Sequence, residues 1–166
     1  MQTPTPLTDL GEFVLVFQAV EEALVELLVL LHNSDPEYVV ALTAELEFNG
    51  KARALDVTFS RFAQIHGLSS EPTHPEFRKL MSRVQKLAPR RNDIVHSFYN
   101  WHITVNGEAG LNRRPTRLKP SEGTTPQEPE TLLLGSLQND FNEIKAILSA
   151  LEVFRLQAID ILYPSE

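Results

Sequence analysis

Residues 10–32 read LGEFVLVFQAVEEALVELLVLLH. Apolar side chains at Leu10, Phe13, Val14, Phe17, Val20, Leu24, Leu27, Leu28 and Leu31 recur at steps of three and four, the spacing of one helical face. The runs Phe13–Phe17 and Leu27–Leu31 carry apolar residues onto the neighbouring face. Such a helix belongs at the centre of a core or half inside an oligomer interface. Glu21, Glu22 and Glu26 interrupt it, so it is not expected to span a bilayer. Thr8 or Asp9 suits its N-cap, and the helix should run to about His32.

Working outward, Asn33-Ser34-Asp35-Pro36 reads as a stop followed by a cap, with Pro36 suited to a first helical position. A second helix is expected to about Phe48, ended by Asn49-Gly50. Lys51 to His66 makes a third, closed by Gly67. Residues 68–75 are rich in Ser, Pro and Thr and read as a loop. From about Pro75 a fourth helix turns Phe77, Leu80, Met81, Val84 and Leu87 inward. Pro89 then kinks or restarts it, because proline lacks the N–H the helix needs. Trp101 to Val105 alternates like a strand, and Asn106-Gly107 is a hairpin turn signal, with a return strand near Arg114–Leu118. Residues 119–130 read as a linker, and Thr131–Leu134 fits either a strand or a helix start. Ser136 suits the cap of a final helix with Leu137, Phe141, Ile144, Ile147, Leu148, Leu151, Phe154 and Ile159 inward. The expected fold is all-α: an up-and-down bundle of about five helices, one domain over 1–166, with a small β-hairpin and linker insertion at 101–130 before the last helix.

The chain contains no cysteine, which excludes disulfides, zinc–thiolate sites and thiol nucleophiles. His32, His66, His74 and His102 lack metal-ligand spacing, so neither a metal nor another cofactor is expected. Met1 to Pro6 lacks the basic start of a signal peptide, and the expectation is a cytoplasmic protein.

Charge is segregated along the chain. Residues 1–77 hold 3 basic and 12 acidic residues, 78–119 hold 10 and 2, and 120–166 hold 2 and 8. A basic segment inside an acidic protein points to a local, salt-sensitive anion contact, a phosphodiester being the obvious one. Lys79, Arg83, Lys86 and Arg90 recur at steps of four, three and four and form a cationic stripe. Within the same segment stands Arg91-Asn92-Asp93-Ile94-Val95-His96. On an unbroken helix Arg91 and His96 are separated by about 140° and about 7.5 Å along the axis. Asn92 and His96 share a face, so the amide can orient the imidazole. The guanidinium of Arg91 would be costly to bury alone and should face a cleft, a carboxylate or a second subunit.

Arg-Asn-x-x-x-His late in a helical bundle, followed by Phe98, Tyr99 and Trp101, resembles the HEPN superfamily. The resemblance is specific over about residues 87–101. It implies a metal-independent endoribonuclease of the kind found in toxin–antitoxin and defence systems. Carried over by position, His96 acts on the ribose 2′-hydroxyl or the leaving oxygen, and Arg91 grips the phosphate. Asn92 orients His96 or contacts the phosphate. Lys79, Arg83, Lys86 and Arg90 form either a solvated helix face or a contact for the RNA backbone, and Tyr99 and Trp101 either pack in a core or interface or stack on bases. A homodimer with two motifs in one cleft is implied, and a minimal nucleotidyltransferase is the kind of antitoxin partner often found with the family.

Two other readings stand beside this one. The first is a catalytically silent module that binds RNA, a nucleotide or a partner protein. The second is purely structural, with Arg91 held by a carboxylate such as Asp56 or Asp93. Arg113, Arg114, Arg117 and Lys119 fall in an expected loop, free to track a nucleic-acid backbone or to dock on an acidic partner surface.

Overall fold

The structure, a computed structural model, describes residues 5–68, 73–115 and 129–164. It contains five helices, α1 (Pro6–His32), α2 (Pro36–Thr43), α3 (Phe48–Ile65), α4 (Thr73–Val95) and α5 (Gln138–Leu162). Three strands, β1 (Phe98–Ile103), β2 (Ala109–Arg114) and β3 (Glu130–Leu132), lie between α4 and α5 in sequence. The fold is therefore the expected mostly helical bundle with a β insertion before the last helix. No described helix is long and apolar enough to cross a membrane.

Several boundaries differ from those read in the sequence, each for a local reason. Helix α1 begins at Pro6 instead of after Thr8 or Asp9. Thr5 and Thr8 bond reciprocally, the Thr5 N–H to Thr8 Oγ1 at 3.2 Å and the Thr8 N–H to Thr5 Oγ1 at 3.4 Å, which closes the first turn. Asp9 is thereby left to accept from the Gly135 N–H at 2.6 Å. Helix α2 stops at Thr43, whose hydroxyl donates back to the Val39 carbonyl at 2.9 Å. Asn49-Gly50 does not terminate α2 but lies in the first turn of α3, where the Lys51 N–H to Glu47 carbonyl bond of 3.0 Å starts the ladder. A first turn needs no internal N–H partner, so Asn and Gly are cheap there. Pro89 sits inside α4 without restarting it. Leu87 and Ala88 before it and Ile94 after it are buried, and that packing holds the helix through the missing bond.

The hairpin is longer than expected at its start and shorter at its end. Strand β1 opens at Phe98, and the return strand is Ala109–Arg114, with Leu118 outside the described residues. Gly107 takes φ 81°, which an L side chain resists, so the Asn106-Gly107 signal turns the chain as read. Thr131, ambiguous in sequence, belongs to β3, which pairs Leu132 with Leu111. Gly110 is tight against β3, since a Cβ there would lie 3.0 Å from Thr131 Cγ2. Ser136 does not cap α5; its hydroxyl accepts from the Leu133 N–H at 2.9 Å.

The chain groups into two compact units, one of Met1–Phe17 with Pro89–Glu143 and one of Gln18–Ala88 with Ile144–Glu166. In the first, the buried apolar residues are Phe13, Phe17, Ile94, Leu111, Leu132, Leu137 and Phe141. The second is centred on aromatic packing. Phe59 stacks on Phe77 with ring centroids 3.7 Å apart, and Phe154 stands edge-on to both. Every inward residue expected on α4 is buried, as are Val20, Leu24, Leu27, Leu28 and Leu31 of α1.

Candidate anion site around Arg91

The motif lies at the C-terminal end of α4, a place that repels anions unless its carbonyls are occupied. Here they are occupied. The Ile94 carbonyl accepts from the Tyr99 hydroxyl at 2.6 Å, and the Asp93 carbonyl accepts from Ser97 Oγ at 2.5 Å and Arg113 Nη1 at 3.1 Å. Tyr99 is consequently half-buried, and burial pushes its phenol above the ordinary value of 10.0. Its hydroxyl is committed to the helix end. Trp101, two residues on, is exposed on β1.

Three arginines surround this end, and they are paired differently. Arg113 is buried on β2 and donates to Asp93 Oδ2 at 2.8 Å and Glu130 Oε2 at 2.9 Å. It is therefore a strand residue held inside a network, not part of a loop that tracks a backbone. Arg117 and Lys119 lie outside the described residues. Arg90 forks onto Asp140, Nε to Oδ1 and Nη2 to Oδ2, both at 2.9 Å. That bidentate bond holds the Arg90 pKa above its ordinary value, with partial burial opposing it.

Arg91 is the exception. Its Nη1 donates to Asn92 Oδ1 at 3.1 Å, and its guanidinium lies 5.9 Å from the centre of the Phe17 ring. Asp93, Glu130 and Asp140 pair with the other two arginines instead. Of the two carboxylates the sequence suggested, Asp93 gives its Oδ2 to Arg113, and Asp56 belongs to the other unit. An amide oxygen and a ring face orient the cation without neutralising it.

His96 is the first residue past α4 and is exposed. Its backbone N–H still bonds to the Asn92 carbonyl at 3.0 Å, so the helical path continues to it. The Asn92 side-chain oxygen accepts from its neighbour Arg91.

The remaining stripe cations belong to the second unit. Lys79 and Arg83, with Glu76, Leu80, Val153 and Phe154, line a surface pocket of about 310 Å³, while Lys86 is exposed and does not line it. Among the described residues no group of three His, Asp or Glu could hold a metal ion. Sequence reading did not single out Glu130 or Asp140, and it offered Asp93 to Arg91 where the structure pairs it with Arg113. Only the alternation that makes residues 109–114 a strand could have placed Arg113 inward.

The chain matches no protein-family model, no curated protein and no solved structure.

Proposed function

We propose that the face formed by Arg91, Asn92 and His96 binds the phosphodiester of RNA and cleaves it without a metal ion. The observation that carries this reading is the unequal pairing of the three arginines. Arg90 is forked onto Asp140 and Arg113 is held by Asp93 and Glu130, whereas the half-exposed Arg91 meets an amide oxygen and a ring face. A planar guanidinium held this way suits a phosphate, which it can meet with two parallel N–H donors. His96 supplies an imidazole, a side chain able to accept and to donate a proton. In the proposed reaction it takes the proton of the ribose 2′-hydroxyl as that oxygen attacks phosphorus. The 5′-oxygen leaves as a hydroxyl, protonated by solvent water, a 2′,3′-cyclic phosphate remains, and His96 returns its proton to solvent. Arg91 stabilises the charge that accumulates on the phosphoryl oxygens. DNA lacks the nucleophile and should be inert.

On this reading the protein works as a homodimer in a toxin or defence setting, with a minimal nucleotidyltransferase as the implied class of antitoxin. The test is cleavage of a mixed RNA substrate with EDTA present. Cleavage that survives EDTA and is lost in both Arg91→Ala and His96→Ala supports the proposal. Unchanged cleavage by purified His96→Ala removes the catalytic assignment.

One observation favours the silent binding module. Asn92 Oδ1 accepts from Arg91, an arrangement that orients a binding cation and by itself supplies no step of cleavage. RNA binding that depends on Arg91, with no cleavage by the native protein, selects this second reading.

A further inference from the structure

In the second unit α4 and α5 meet through Phe77 and Phe154, edge-on with ring centroids 5.0 Å apart. Beside that contact a groove of about 310 Å³ opens to the surface. Its α4 wall is Glu76, Lys79, Leu80 and Arg83, a helical spacing that sets all four on one face. The α5 wall repeats the spacing with Ala150, Val153, Phe154 and Gln157. The two walls differ in chemistry. Leu80 and Phe154 are buried and supply an apolar floor, and Val153, 53% exposed, continues it to the rim. The α5 wall carries no charge, whereas α4 brings Lys79 and Arg83. Glu76 stands seven residues before Arg83, about 10 Å away along the helix axis. Two cations and one carboxylate leave the described lining with one net positive charge.

We infer that this groove binds a small amphipathic monoanion, a short apolar chain ending in one carboxylate. The chain lies on Leu80, Phe154 and Val153, and it removes from water an apolar surface that the fold leaves half open. The carboxylate meets Lys79 and Arg83, away from Glu76, and accepts charge-assisted hydrogen bonds there. One net positive charge matches one carboxylate. The volume sits at the small end of the range for ligand sites, about 300–1,000 Å³, so the chain is short. A nucleic-acid backbone fits the same place poorly. Its sugars and phosphates would face the uncharged wall of Ala150, Val153 and Phe154, and would have no apolar surface to bury against it. Lys79 and Arg83 are thereby separated in role from Arg91, and this inference does not rest on the proposed RNA site.

The test titrates the native protein with octanoate and with octanol, its uncharged counterpart, and follows backbone amides by nuclear magnetic resonance. Octanoate should shift the amides of residues 76–83 and 150–157 saturably, with half-saturation on the order of a millimolar or tighter. Octanol should bind at the same place about three- to fivefold more weakly, the contribution of a partly exposed charge pair. Lys79→Gln should weaken octanoate and leave octanol unchanged. Val153→Trp, at a position open enough to accept the larger ring, should fill the groove and abolish both while the spectrum stays dispersed. No saturable shift up to about 10 mM, or shifts spread over the whole chain, overturn the inference. Equal affinity for octanoate and octanol overturns it as well, and so does octanoate binding that survives Val153→Trp. The proposed RNA site stands or falls separately, through binding and cleavage by the Arg91 and His96 variants.

Discussion

Arg113 on β2 and Asp93 on α4 lie 2.8 Å apart, and this pair fastens the sheet to the last turn of the helix that carries Arg91. The Arg113 side chain is only 5% accessible, and its Nε has no hydrogen-bond partner among the described residues. The arrangement already strands one donor, so removing an acceptor should be felt strongly. Asp93→Ala is expected to cost about 2–4 kcal/mol in urea unfolding, because it leaves a buried guanidinium with Glu130 as its one remaining carboxylate, beside the backbone carbonyl of residue 93. Glu130→Ala removes a partner that is about half exposed and should cost under about 1 kcal/mol. Equal losses for the two would contradict the placement of Arg113.

Tyr99 ties β1 back to α4 through its hydroxyl, and its phenol is held protonated above the ordinary value of 10.0. The folded pKa exceeds the unfolded one, so the phenol's contribution is complete below pH about 10. It is lost as pH rises through the folded value. Of the three tyrosines, Tyr99 should ionise last in an ultraviolet titration. Tyr99→Phe should abolish that late step and cost about 1 kcal/mol at neutral pH.

The two adjacent arginines should separate by function. Arg90 is forked onto Asp140, and Arg90→Ala is expected to lower stability by about 1–2 kcal/mol through the partner left half-buried. Arg91→Ala loses an amide contact and a weak ring contact, for a change within about 1 kcal/mol. Denaturant midpoints of the two variants check the order.

The second unit depends on its aromatic cluster. Phe77 is fully buried, stacked on Phe59 and edge-on to Phe154. Phe77→Ala should cost about 3–5 kcal/mol. Leu15→Ala, at an exposed position on α1, should change the unfolding midpoint little.

Much of this fold was legible because long helices bury regular stripes. The apolar spacing of Phe77, Leu80, Met81 and Val84 placed the inner face of α4 correctly. Asn106-Gly107 marked its turn because few other residues accept that backbone. Short-range competition was harder to read. Nothing in Thr43 alone announces that its hydroxyl will bond to Val39 and let α2 end early. The pairing of Arg90, Arg91 and Arg113 was out of reach for a different reason. It is set by Asp140 and Glu130, which lie 50 and 17 residues away in the chain and come near only through the fold. A run of cations in sequence therefore looked uniform, where the structure separates two neutralised ones from Arg91.

We propose that Arg91, oriented by Asn92 and Phe17, is a phosphate-binding cation. Fluorescence anisotropy with a 2′-O-methyl RNA oligonucleotide, which binds but resists 2′-hydroxyl attack, measures this directly. The native protein should bind with an affinity that falls with salt. Arg91→Ala should weaken binding at least about tenfold and reduce the magnitude of the salt slope by about one, whereas the Ala variant of His96 should bind nearly as well as native. Native binding and an unchanged slope in Arg91→Ala would contradict the account.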